Sequence, residues 1–293
     1  LNRGWCNSFA AKGKTGSEHL FNTRIKSNKP IAVNSTDDSV TPGDLVGDQL
    51  TPVNLAGKNY IAVKNYGNVE KVYIFPTEKN TNIWVDEIAQ PQLVTLEDKM
   101  MINLNDANRN VATFIRSDKP IVVFQLTSKK NASELGGAII PKIDCTGSLE
   151  TVYRSGFGDI TLDVITKTAY TNSFTMNGQT GVIKPSDFAV VTANPEWSYA
   201  RIPLLASDPL VAGNGGVIKV KNSLGYFHVG ALDYPADANS CSYGYFSDFQ
   251  TIKLDAVAGS NAYVSGETLK LELLNVDALT NIEWTKPDGT KVE

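Results

Sequence analysis

No stretch of twelve or more residues in this chain keeps the 3.6-residue apolar spacing of a helix. Short β-branched and aromatic runs recur instead, with turn-forming clusters between them every 8–12 residues or so. Runs 72–75 and 83–85 flank the polar stretch 77–81, 93–96 and 101–104 flank 97–99, and 111–115 and 121–126 flank 116–120. Each of these three pairs reads as a hairpin, and 217–220 with 226–229 forms a fourth pair of strands around 222–225. The expectation is an all-β fold of sandwiches or a barrel.

An internal repeat organises the strands. Ile25-Lys26-Ser27-Asn28-Lys29-Pro30-Ile31-Ala32-Val33 returns 90 residues later as Ile115-Arg116-Ser117-Asp118-Lys119-Pro120-Ile121-Val122-Val123, with six of nine positions identical. The register continues, with Asp44-Leu45-Val46-Gly47 falling on Glu134-Leu135-Gly136-Gly137. A period near 90 residues fits one small β-sandwich per unit. The expected organisation is a partial first unit (1–57), a second (58–144) and a third (145–249). By this count the first unit starts about 30 residues before Leu1, so the chain is expected to be cut at both ends. Residues 250–293 carry two alternating strands, then Trp284 and a Pro-Asp-Gly turn, which is how an Ig-like sandwich begins.

Charge and residue usage narrow the function. The net charge is −4 over 293 residues, which argues against a nucleic-acid or anionic-membrane partner, and no run is long enough for a transmembrane helix. The two histidines, His19 and His228, read as a surface residue and a sheet-face residue. No HExxH, GxSxG, P-loop or paired CxxC motif is present, so the pattern points away from catalysis and tightly bound cofactors.

Three patterns remain as candidate sites. Asp37, Asp38, Asp44 and Asp48 lie on a glycine-punctuated stretch whose hard oxygens suit Ca²⁺, although aspartate and glycine are also ordinary turn residues. Trp197, Tyr199, Tyr234, Tyr243 and Tyr245 cluster toward the end of the third unit. Exposed, they would stack on sugars or anchor a protein; buried, they would be core. Three cysteines allow at most one internal disulfide, with Cys145 and Cys241 the favoured pair and Cys6 left over.

Several blocks in order resemble a known family. Ser27-Asn28-Lys29-Pro30-Ile31-Ala32-Val33 is followed by Glu134-Leu135-Gly136-Gly137-Ala138-Ile139-Ile140-Pro141, by Asp144-Cys145-Thr146-Gly147, and by Gly225-Tyr226-Phe227-His228-Val229-Gly230. Together with Tyr243-Gly244-Tyr245-Phe246 they resemble the IgGFc-binding protein N-terminal domain family, as found in large bacterial surface proteins. The resemblance implies an extracellular, adhesin-like segment with no catalytic residues. It also implies a cysteine just before the Glu-Leu-Gly-Gly block, where this chain has Ser133. The expected function is recognition of a glycan or glycoprotein at the cell surface, in a protein that continues into further Ig-like modules. The alternatives are a structural spacer or filament segment, and an accessory domain of a secreted glycan-degrading enzyme.

Overall fold

The computed structural model describes residues 6–11, 23–40, 44–129, 134–156, 158–235 and 241–249, together with four short strands beyond them. The fold is all-β. A first hairpin joins β1 (Asn34–Val40) to β2 (Asp44–Gln49). Seven strands follow in one sheet: β3 (Gly57–Val63), β4 (Lys71–Pro76), β5 (Ile83–Val85), β6 (Ile88–Ala89), β7 (Met100–Asn103), β8 (Ala112–Thr127) and β9 (Gly136–Ile139).

The strands expected from sequence are present, but their partners differ. Residues 111–115 and 121–126 do not form a hairpin: they are the two halves of the 16-residue strand β8, which runs through Ser117-Asp118-Lys119-Pro120. The first half pairs with β3 and β5, and the second with β4 and β9. β4 pairs with β7 and β8, so it makes no hairpin with β5. Leu93 bridges Thr81, while Asp98 closes a turn by accepting from the Val94 and Thr95 amides at 2.6 and 2.8 Å. The physical reason is common to all three. Tyr60, Ile74, Ile83, Val85, Ile115, Ile121 and Val123 share one core, so pairing is set by burial around β8 and not by chain proximity.

Two further sheets make a sandwich. One holds β10 (Glu150–Arg154), β12 (Phe174–Met176), β13 (Gln179–Thr180) and β16 (Val217–Asn222). The other holds β11 (Asp159–Lys167), β14 (Phe188–Val190), β15 (Trp197–Leu204), β17 (Phe227–Tyr234) and β18 (Ser242–Tyr245). β16 and β17, adjacent in sequence, therefore lie in different sheets. Alternate residues of β11, β15 and β17, including Ile160, Leu162, Val164, Ala200, Ile202, Phe227 and Val229, fill the core between them.

The intervening residues of those strands point the other way. Ile165 and Trp197 pack with Ile61, Val63, Phe114 and Ile143 of the seven-stranded part, forming a continuous seam between the two bodies. Burial on both faces explains why nearly every residue of β11 is inaccessible.

Three hairpins share one register. Asn34 pairs with Gln49 and Asp37 with Val46, Phe124 with Ile139 and Thr127 with Gly136, Gly230 with Tyr245 and Asp233 with Ser242. The second hairpin thus lies 90 residues after the first and 106 before the third. They are also stacked. Leu126 and Leu135 bury Val46 of the first hairpin, while Ala138 packs with Leu232 and Tyr243 of the third. Beyond these, the backbone pairs Leu254–Ala256 with Leu271–Leu273 and Trp284–Thr285 with Lys291–Val292.

Candidate functional site

The aromatic group that sequence left as either ligand surface or core is turned into the molecule. Trp197 and Tyr243 are buried, Tyr199, Tyr234 and Tyr245 half-buried, and all five line the seam or its β9–β18 end. The cause is the strand period: β15 gives Ala200, Ile202 and Leu204 to the sandwich core, so Trp197 and Tyr199 on its other face turn to the seam.

A polar network lies within this seam. Glu70 Oε1 accepts from Thr127 Oγ1 at 2.8 Å and from the Gly67 amide at 3.0 Å, and Oε2 accepts from the Asn65 amide at 3.2 Å. Asn65 Nδ2 donates to Asp163 Oδ2 at 3.0 Å, and Tyr243 OH donates to the same oxygen at 3.2 Å. Arg201 reaches the Lys64 carbonyl at 3.3 Å and stacks on Tyr66. Burial pushes both carboxyls up to about 7, and for Asp163 the nearby Glu70 adds to the effect. Asp163 Oδ1, Asn65 Oδ1 and Gln125 Oε1 are buried with no protein hydrogen bond. Sequence reading missed this network, although a strand reading Asp-Ile-Thr-Leu-Asp-Val-Ile-Thr-Lys carries an acid mid-strand.

His228 is the sheet-face residue expected. It is fully buried between Thr146 Oγ1 at 3.2 Å and Ser247 Oγ at 2.8 Å, and desolvation lowers its pKa to about 3. The imidazole is neutral and ties the 142–148 connection to the segment after β18.

The aspartates sit on the first hairpin. Asp37 and Asp38 lie on β1 and Asp44 and Asp48 on β2, with the backbone of Asp44 opposite Val40 and that of Asp48 opposite Ser35. The side chains of Asp38 and Asp44 fall outside the described ones. Asp48 is engaged within the protein: Oδ2 accepts from the Ile139 amide at 2.8 Å and Oδ1 from the Gln49 amide at 2.7 Å. Among the described residues, no group of three or more His, Cys, Asp or Glu side chains is arranged to hold a metal. The structure does not join Cys145 to Cys241. Cys145 occupies a turn at φ 54°, and Cys241 Sγ points at the Glu134 carbonyl, 3.3 Å away.

The outward face of β5 and β6 has a different character. Ile83 and Val85 fill the core, so the alternation directs Trp84 outward. Arg116, opposite it on β8, places its guanidinium 4.1 Å from the Trp84 ring centroid and pairs with Glu87 at 2.9 Å. The row continues to Asn59 of β3 on one side and Ala89 of β6 on the other. At the turn, Asp86 and Glu87 hold φ of 49° and 64°, a conformation that favours glycine or asparagine. Each acid is held by an arginine, since Arg109 pairs with Asp86 at 3.3 Å. Ile88 beside them is 65% exposed. A Trp–Arg stack next to an exposed isoleucine on a strained, braced turn is the composition of a protein-contact hot spot. Trp84 between two core residues was the available sequence signal. Elsewhere, a shallow groove of about 340 Å³ lies on the outer sheet between Glu150, Thr175, Gly178, Lys219 and Lys221.

The model of the family described as IgGFc binding protein matches residues 1–232. No curated protein matches the chain. Among solved structures, two of glycosyl hydrolase family 2 members from Bacteroides cellulosilyticus are similar at 11% and 10% identity, each with a TM-score of 0.17. They cover 73% and 74% of this chain, which itself spans only 28% and 30% of theirs. A superposition that small carries no functional argument. Among the described residues, no helix is long and apolar enough to cross a membrane.

Proposed function

The chain belongs to the IgGFc binding protein family, and from that premise we propose that it is a non-catalytic, extracellular binding segment of a large bacterial surface protein. Its partner is a glycoprotein or glycan, engaged through the outward face around Trp84, Arg116, Glu87 and Ile88. The observation that carries this reading is the Trp84–Arg116 stack beside exposed Ile88. Tryptophan and arginine dominate protein-binding energetics, and here they meet on a surface that the fold leaves uncovered. The aromatics of the seam support the fold, and the half-buried Trp84 ring, capped by Arg116, lies on an outward face beside exposed Ile88.

The family's name makes antibody Fc, itself a glycoprotein, the first partner to try. The test is binding of the purified chain to immobilised IgG Fc, to mucin-type glycoproteins and to the same proteins after deglycosylation, alongside a glycan array. Saturable binding to any of them supports the reading. A second reading, a structural spacer, is favoured by the polar and apolar seam that fixes the two bodies together. Absence of binding to every probe would leave that spacer role in its place.

A further inference from the structure

β10 is an open edge of the sandwich. It ends the strand order β10, β16, β12, β13 of its sheet, so among the described residues β16 is its only strand partner. The Asn222 amide donates to the Leu149 carbonyl and the Ser155 amide to the Gly216 carbonyl, each at 2.9 Å. Hydrogen-bonded pairs recur at every second residue of an antiparallel ladder, so 149, 151, 153 and 155 turn their N–H and C=O groups toward β16. Glu150, Val152 and Arg154 turn theirs toward the open edge, where no described residue bonds them. The same three carry the exposed side chains of the strand, since Thr151 is buried and Tyr153 packs on the core. Val152 is 56% exposed. Glu150 pairs with Lys219 at 2.6 Å, while Arg154 has no ion-pair partner among the described residues.

We infer that β10 is a self-association edge, at which two copies of this chain pair β10 with β10 antiparallel across a two-fold axis at Val152. In that register Val152 meets Val152, and Glu150 of each copy faces Arg154 of the other. The outward N–H and C=O groups of all three residues then find partners, and both ends of the contact join opposite charges. Edge strands are commonly blunted by charge, but here the two signs lie symmetrically about Val152, so the pattern repels other registers and accepts itself. Centring the axis on Glu150 or on Arg154 sets like charges opposite each other. In-register parallel pairing does the same, with Glu150 beside Glu150 and Arg154 beside Arg154. A contact between identical patches closes at two copies. An unrelated extended segment is the poorer occupant, because it would need the reversed charges at the same spacing.

The test is sedimentation equilibrium of the full chain up to about 1 mM, which should show a monomer–dimer equilibrium. Val152→Pro removes an N–H that faces away from β16, a change an edge strand tolerates, and should abolish the dimer without shifting Tm. Glu150→Arg and Arg154→Glu should each weaken self-association about tenfold or more. A mixture of these two variants should recover dimers, and so should the chain carrying both substitutions, because each restores opposite charges in the same register. A chain that stays monomeric to about 1 mM would overturn the inference. Dimers indifferent to Val152→Pro would overturn it in favour of another surface. Charge-reversed chains that neither the mixture nor the double variant restores would overturn the register and with it the inference.

Discussion

Asn65, in the connection between β3 and β4, donates to the Asp163 carboxylate on β11 at 3.0 Å, and this contact crosses the seam between the seven-stranded sheet and the sandwich. A buried polar contact of this kind fixes register, because any slip leaves a carboxylate without its donors. Asn65→Ala leaves Asp163 with Tyr243 as its remaining side-chain donor. It is expected to destabilise the protein by about 2–4 kcal/mol. Tyr243→Phe should cost about 1–2 kcal/mol. Because both donate to the same oxygen, the double variant should depart from additivity by more than about 0.5 kcal/mol. Urea melts of the four proteins check this.

The same network predicts an unusual pH dependence. Asp163 and Glu70 titrate near 7 in the fold, against 3.8 and 4.5 as ordinary side chains. A carboxyl raised by folding stabilises the protein below its unfolded pKa, and that contribution fades as pH rises through the folded value. His228 acts oppositely: lowered from 6.5 to about 3, it costs stability as pH falls below 6.5. Between about pH 5 and 7, two carboxyls outweigh one imidazole. Thermal melts should therefore show a higher Tm at about pH 5.5 than at about pH 8, and Asp163→Asn should flatten the difference.

Stacking of the second and third hairpins depends on a glycine. A Cβ on Gly136 would lie 2.6 Å from Tyr243 Cβ and 2.7 Å from its backbone nitrogen. Backbone does not yield as a side-chain tip does, so Gly136→Ala should cost about 2 kcal/mol or more. Gly178→Ala, which meets nothing within 4 Å but holds φ at +79°, is the comparison for pure backbone strain, expected near 1 kcal/mol. Equal effects in denaturant melts would argue against close hairpin stacking.

Calcium and disulfide dependence are checked together by melting with chelator and with reductant. Asp48 is already satisfied by the Ile139 and Gln49 amides, and Cys241 faces a carbonyl oxygen. Neither treatment is expected to move Tm by more than about 1 °C.

What the sequence displays clearly is strand identity. The runs at 72–75, 83–85 and 217–220 are strands because β-branched and aromatic residues suit a half-buried pleat. What it conceals is pairing. Ser117-Asp118-Lys119-Pro120 has the composition of a turn, yet β8 passes through it, and only the shared core of Ile115 and Ile121 explains why. The seam was hidden for a related reason. Alternation in β11 and β18 shows that two faces exist, but not that a second body covers the outer one, so Tyr243 and Tyr245 stayed open between core, which their alternation favoured, and ligand surface. Trp84 was passed over as one residue of a strand, although its place between two core residues directs it outward.

Everything proposed for this chain's function turns on whether the Trp84 face binds a partner. The most direct measurement is a titration of IgG Fc and mucin-type glycoproteins with the intact chain and with Trp84→Ala and Ile88→Asp, each variant checked for an unshifted melt. Saturable binding to at least one of them is expected, weakened about tenfold or more by each substitution. Binding that both variants retain in full, or no binding at concentrations on the order of 100 μM, would contradict it.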